Sequence, residues 1–239
     1  MIILPYSCLN WDKESWLSSK LLYDELINDL TKHLDINSKS KILDIGCGRA
    51  HLIKNLSSKI PFDYHPVGVE PINHNLKSDN KIKIVNENTQ QYFKKNKLKF
   101  DYIFFKQVLH LIPLIERKIL YQSLRKTINK QGKIVVIQMD NQHEFPCFPL
   151  MREGLDNSLL EHKKIIKEFD LYFSNIKIKK FCFQVNISKI DYINMIKDKF
   201  ISVLADLTKS QIEEGCLYID ERYSEKINFK DKLLIYLIN

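Results

Sequence analysis

The stretch KILDIGCGRAHL, Lys41 to Leu52, decides the fold. Ile42, Leu43 and Ile45 make a short apolar run that reads as a buried strand, and the run passes into Gly46-Cys47-Gly48. Two glycines so close together let the chain turn sharply and bring its backbone against a ligand with no Cβ in between. Leu52, Ile53 and Leu56 then recur at helical spacing, so the free N–H groups of a helix start are expected to face the same ligand. A second apolar run, Val67-Gly68-Val69, ends in Glu70. It falls roughly 20 residues beyond Gly48, where an acid that holds ribose hydroxyls is expected. Together these elements predict a site for a nucleotide-like ligand.

The turn differs from a dinucleotide site. Counted from Gly46 it reads G-x-G-x-x-H, with His51 where a third glycine would let the helix pack closely on the strand. No Lys or Ser/Thr stands in a phosphate-loop arrangement. A carboxylate, Asp44, two residues ahead of the first glycine suits a ligand that carries adenosine and a cationic amino-acid tail. The segment resembles the S-adenosylmethionine site of class I methyltransferases, whose signature is acid-x-Gly-x-Gly. Ala50 departs from it, because a last glycine is common there and Ala restricts φ.

The resemblance continues from about Lys41 to Gln138. Val67 to Glu70 resembles the family's second strand, and Ile82 to Val85 with Asn88 and Thr89 its third strand and the turn that meets adenine. Asn88 stands where Asp is more common, and an amide still accepts from or donates to adenine. Phe100 to Phe105 followed by Val108-Leu109-His110 resembles the fourth strand and the loop beneath the donor methyl. Leu124 to Ile137 resembles a helix, glycine turn and fifth strand. The resemblance implies an α/β, Rossmann-like seven-stranded sheet with helices on both faces and the last strand antiparallel. It further implies a donor site built from Asp44, Gly46, Cys47, Gly48, Glu70, Pro71, Asn88, Thr89 and Gln107, with S-adenosylhomocysteine as product.

Outside this core, Leu22, Leu26, Leu30 and Leu34 give the segment from about Asp12 to Leu34 one apolar helical face. Pro113 opens a helix with Leu120, Leu124 and Ile128 as its stripe. The run NQHEFPCFP, Asn141 to Pro149, reads as an irregular loop. A helix from about Met151 to Phe169 and a strand from Ile176 to Val185 follow, and Lys232 to Ile238 reads as the last strand. A helical insertion with Tyr192, Ile196, Phe200, Val203 and Leu207 on its face lies between them. The whole chain, 1–239, reads as a single domain, with 41–138 binding the donor. By the resemblance, the N-terminal helix and the insertion form a lid, so that 1–40 and 141–225 supply acceptor-site elements.

The chain has 239 residues and a net charge of +8, a balance that invites a nucleic-acid partner. The positive charge is scattered Lys, and Arg49, Arg117, Arg125, Arg152 and Arg222 do not cluster as guanine or phosphate readers would. The Lys94 to Lys99 and Lys177 to Lys180 runs read as solvated faces. Five widely spaced cysteines without C-x-x-C or zinc spacing read as free thiols, and no metal is expected. There is no apolar run of membrane-spanning length and the start lacks a secretion signal, so a cytoplasmic location is expected.

Methyl transfer from a sulfonium is a direct displacement in which positioning supplies much of the rate. A base is needed only where the acceptor carries a proton. His110, at the end of the fourth strand, is the best candidate base, and His143 in the following loop is the second. Flanking Leu109 and Leu111 also suit His110 to a hydrogen-bonded wall. Arg152 is placed to clamp an acceptor carboxylate. Phe145, Phe148, Tyr192 and Phe200 supply an apolar wall, and Tyr6, Trp11 and Trp16 a shelter near the N-terminus, although such aromatics equally serve as a docking staple on the sheet. Cys147 has no neighbour that would activate a thiol. The reading is a methyltransferase acting on a small molecule. The alternatives are an RNA methyltransferase and a catalytically silent binding or partner protein with the same fold.

Overall fold

The structure, a computed structural model, describes residues 15–239. After a 3-10 turn at Trp16–Ser18, helix α1 spans Lys20–His33. Strand β1, Ile42–Ile45, leads into α2, His51–Lys59. There follow β2 (Val67–Val69), β3 (Lys83–Val85), α3 (Thr89–Lys95), β4 (Phe100–Lys106) and α4 (Leu114–Thr127). The remainder is β5 (Ile128–Met139), α5 (Pro149–Phe169), β6 (Ile176–Ser188), α6 (Lys189–Lys197), α7 (Lys209–Arg222) and β7 (Lys226–Ile238).

All seven strands form one sheet in the order β3-β2-β1-β4-β5-β7-β6. β1 pairs in parallel with β2, Leu43 against Val67, and with β4, Leu43 against Ile103. β4 pairs in parallel with β5, Ile103 against Ile134. The last strands run antiparallel. All four residues of β1 are buried, because helices on both faces of a parallel sheet leave a central strand no polar side.

The described residues group into two compact units. One comprises 23–138, 162–181 and 233–239. Its core packs Leu43, Ile45, Ile103 and Phe105 of the sheet with Leu120, Tyr121 and Leu124 of α4 and Ile165 and Phe169 of α5. The other comprises 15–22, 139–161 and 182–232. There Trp16 is surrounded by Phe145, Tyr192, Phe200 and Phe229 at centroid distances of 5.7, 6.3, 5.7 and 5.3 Å. Its indole N–H donates to Asp231 at 2.9 Å.

Two segments depart from the sequence reading for local reasons. No glycine turn separates α4 from β5; Gly132 lies inside the strand, where a Cβ would come within 2.9 Å of the Asp101 carbonyl. The glycine permits the close approach that accompanies a register shift opposite Phe100 and Tyr102. The insertion is two helices instead of one continuous face. Lys199 adopts φ +52° beyond α6, and its ammonium donates to the carbonyls of Ala205 and Leu207, both at 2.8 Å. Thr208 then caps α7 in a reciprocal capping box with Gln211.

Among the described residues no helix is long and apolar enough to cross a membrane, and no cluster of three or more His, Cys, Asp or Glu is arranged to hold a metal.

Candidate active site

The carboxyl end of β1 turns through Gly46 at φ +67° and Gly48 at φ +52°. The two glycines serve different ends. A Cβ on Gly46 would stand 2.2 Å from Val108 Cγ2, so this glycine lets the loop after β4 close on the turn, whereas around Gly48 the space is open. Gly46 and Cys47 donate their N–H groups to the Val69 carbonyl at 2.8 and 3.2 Å, which fastens the turn to β2. Ala50 takes φ +62° without being glycine, a conformation that disfavours a Cβ, and enters α2 from there.

Glu70, 7% exposed, follows β2 and organises the backbone around itself. Its Oε2 accepts from Gly48 N–H at 2.9 Å and its Oε1 from Ile72 N–H at 3.0 Å. A carboxylate has about four acceptor positions, so it retains capacity for ribose hydroxyls. Asp44 is 2% exposed, and its Oδ1 has no hydrogen-bond partner. Burial pushes its carboxyl up to about 7, against the opposing charge of Lys106 and with that of Glu70. A buried oxygen left without a partner beside an open glycine is what a cationic ligand group would complete. These residues therefore fit S-adenosylmethionine.

The other expected donor residues fall around the same strand ends. Cys47 packs over β2, where a Cβ on Gly68 would lie 2.7 Å from its sulfur. Burial and the charges of Asp44 and Glu70 push its thiol above the ordinary range, which makes it inert packing. Pro71 is exposed. Asn88, also exposed, caps α3 by accepting from Gln91 N–H at 2.9 Å, and Thr89 is the first residue of that helix. Gln107 follows β4 at φ +56° and donates its N–H to the Ile137 carbonyl at 2.9 Å.

His110 lies in the 3-10 turn Leu109–Leu111, and its ring packs against that of His162 on α5 at 4.6 Å. Burial, and then His162, lower His110 to about 3; burial lowers His162 to about 4. Both imidazoles are therefore neutral at physiological pH. His162 is 5% exposed and neither of its ring nitrogens has a hydrogen-bond partner.

In the second unit, Arg152 Nη1 lies 3.1 Å from Nε2 of the buried His143, and Nη2 donates to the Phe145 carbonyl at 3.3 Å. Because a guanidinium only donates, Nε2 accepts and the neutral His143 carries its proton on Nδ1. Burial and then Arg152 hold His143 below the ordinary imidazole range. Phe145, Phe148, Tyr192 and Phe200 are 0–2% exposed. The structure brings Phe145, Tyr192 and Phe200 together around Trp16, while Phe148 packs on α7, where a Cβ on Gly215 would meet its ring at 2.6 Å. The Tyr192 hydroxyl donates to the Pro146 carbonyl at 2.6 Å. Tyr6 and Trp11 lie outside the described residues.

Sequence reasoning missed Lys106, Tyr23 and His162. Lys106 closes a strand whose preceding four residues are all buried, and a charge at the carboxyl end of such a strand was the available signal. Tyr23 sits on the buried side of α1 beside the leucine stripe, and nothing in its spacing separates it from core.

A family model described as a methyltransferase domain matches residues 36–195. No curated protein matches the chain. Among solved structures it is similar to a SAM-dependent methyltransferase from Archaeoglobus fulgidus, with 16% identity, 92% of this chain and 95% of that one covered, and a TM-score of 0.55. A methyltransferase described as from an antibiotic biosynthesis pathway of Anabaena variabilis aligns at 14% identity over 88% and 95%, with a TM-score of 0.60. The plantazolicin methyltransferase BpumL, in complex with a pentazolic desmethylPZN analog and SAH, aligns at 14% identity over 96% and 88%, with a TM-score of 0.52. The matched residues take in the glycine turn, Glu70 and the whole of β4, and the chain belongs to the methyltransferase-domain family as a class I enzyme that uses S-adenosylmethionine.

Proposed function

We propose that this chain is a cytoplasmic enzyme, built as a single catalytic domain, that transfers a methyl group to a small molecule. S-adenosylmethionine supplies an electrophilic methyl on a sulfonium. Glu70 accepts from the ribose hydroxyls, Asp44 takes the ammonium of the amino-acid tail, and Gly48 gives the ligand close access to the backbone. Asn88 and Thr89 meet adenine, and Cys47, Pro71 and Gln107 line the rest of the donor site. His110, neutral, orients the acceptor by hydrogen bonding. Acceptor recognition resides outside residues 41–138. Arg152 and His143 offer its polar points, and Phe145, Phe148, Tyr192 and Phe200 give these points a rigid apolar backing.

The arginines carry the choice of a small acceptor over RNA. Arg117 is held bidentately by Glu168, and Arg222 lies over the Tyr218 ring at 4.4 Å. Phosphate recognition favours unengaged guanidinium groups gathered on one face. The Anabaena protein's description and the BpumL complex add support, since both concern natural-product chemistry. The test is transfer of labelled methyl from S-adenosylmethionine, offered in parallel to a low-molecular-weight cell extract and to total RNA. Label is expected in the small-molecule fraction. Label in RNA that persists near physiological salt overturns the reading.

A further inference from the structure

We propose that His162 and His110 together hold the acceptor by an uncharged hydroxyl group, which makes His162 a specificity-determining residue of the methyl-transfer site. This rests on the acceptor role proposed for His110 above. Both histidines belong to the unit that carries the glycine turn of the donor site. The loop after β4 closes on that turn, since a Cβ on Gly46 would stand 2.2 Å from Val108 Cγ2, and His110 follows at once in the 3-10 turn Leu109–Leu111. The imidazole of His162 packs on that of His110, with 4.6 Å between centroids and 42° between the ring planes.

His162 stands where α5 should be apolar. It heads the stripe that continues in Ile165 and Phe169, which are packed into the core at 1% and 0% exposure. Glu168, bound by Arg117 and Tyr121, fixes this half of the helix. Yet both ring nitrogens of His162 are buried and have no hydrogen-bond partner. An unmet polar group in such a place costs about 1–3 kcal/mol, a cost that Leu or Phe in the same stripe would not carry. A ligand that supplies the missing hydrogen bonds accounts for the imidazole. The chemistry of the pair then selects that ligand. Burial keeps both rings neutral, and a neutral imidazole offers one donor and one acceptor. Neither ring can offset the charge of a carboxylate or an ammonium brought into so dry a place. A hydroxyl both donates and accepts, so a single oxygen can donate to a nitrogen of one ring while it accepts from the N–H of the other.

The test follows the imidazole nitrogens by NMR in the parent protein saturated with S-adenosylhomocysteine, with those of His162 assigned by their loss in His162→Phe. Phenol, benzoate and benzylamine are the probes, since they share a ring and differ in the charge of the polar group. Phenol is expected to shift the His162 and His110 nitrogens saturably and to bind about tenfold more tightly than either charged probe. His162→Phe is expected to weaken phenol about tenfold while S-adenosylhomocysteine stays within about twofold of the parent, and His162→Gln, whose amide donates and accepts, to recover part of the loss. No shift of the His162 nitrogens with phenol overturns the proposal. Benzoate or benzylamine binding as tightly as phenol also overturns it, as does undiminished phenol binding to His162→Phe, which would leave the imidazole a packing role. Label carried into RNA in the transfer assay would bring down the small-molecule reading, whereas a protein that methylates small molecules and gives no response to phenol removes the histidine pair alone.

Discussion

Both carboxylate oxygens of Glu70 already accept from backbone N–H groups, those of Gly48 and Ile72. The residue thus shapes the turn, and the ribose role proposed for it can be separated from that one by measurement. Glu70→Ala is expected to weaken S-adenosylhomocysteine by roughly 1.5–3 kcal/mol, tenfold or more, through the loss of charge-assisted hydrogen bonds. Because the ribose is common to both ligands, 5′-methylthioadenosine should lose about as much in calorimetry. A loss restricted to S-adenosylhomocysteine would move Glu70 from the ribose to the tail. The place of this residue at the end of β2 was legible in sequence, since an acid closing a short apolar strand at that distance from a glycine pair marks the strand end. The structural burden it shares with Gly48 was not legible, because a hydrogen bond between residues far apart in sequence leaves no periodic trace. The same holds for the buried, unpartnered Oδ1 of Asp44.

Among the elements, α4 is tied to the second half of α5 by one polar group set into apolar packing. Arg117, 8% exposed, donates to both carboxylate oxygens of Glu168 at 2.9 and 3.0 Å and to the Ile112 carbonyl at 2.7 Å. The Tyr121 hydroxyl donates to Glu168 at 2.8 Å. Burial acts to raise Glu168, but the bonds from Arg117 and Tyr121 prevail and hold it below the ordinary glutamate range. Arg117→Met would leave that carboxylate with a single protein donor beside Phe169 and Tyr121. A loss of about 2–4 kcal/mol is expected from denaturant unfolding, with Glu168→Gln milder. An unchanged midpoint would show that the pair holds nothing. Elements of this kind were legible as far as apolar periodicity reaches: β1, β2 and β4, the stripe of α1 and the helix after Pro113 all follow from it. Where backbone geometry decided, the pattern failed. The apolar face from Tyr192 to Leu207 has helical spacing throughout, yet α6 stops at Lys197, Lys199 takes φ +52°, and Phe200, Val203 and Leu207 lie between α6 and α7. Gly132 reads as a turn residue and instead serves a bulge within β5.

For the molecule as a whole, buried titratable groups set opposite limits on stability. His110 and His162 are lowered to about 3 and about 4 by burial, from 6.5 in an unfolded chain. As pH falls below 6.5 the unfolded state takes up protons that the folded imidazoles refuse, so folding weakens by up to about 1.4 kcal/mol per unit for each histidine. Asp44 acts in the opposite sense. Raised by burial from 3.8 to about 7, it keeps in the folded state a proton that the unfolded state releases above 3.8. Its contribution therefore falls as pH rises through that window, and its cost is fully present above about 7. Two histidines outweigh one aspartate on the acid side, and near pH 7 the two effects cancel. The donor-free protein is therefore expected to approach its greatest stability near pH 7, with a steep acid limb and a nearly flat neutral side, as thermal unfolding across a buffer series would record. His162→Phe should flatten the acid limb. Asp44→Asn should steepen the acid limb and stabilise the donor-free protein at pH 8 by on the order of 2–4 kcal/mol, while weakening S-adenosylhomocysteine. Saturating S-adenosylhomocysteine should shift the maximum of the parent upward, because an ammonium beside Asp44 favours its ionised form. A maximum that stays in place with ligand bound would mean that Asp44 meets no cation, and the donor's tail would have to be held by other groups.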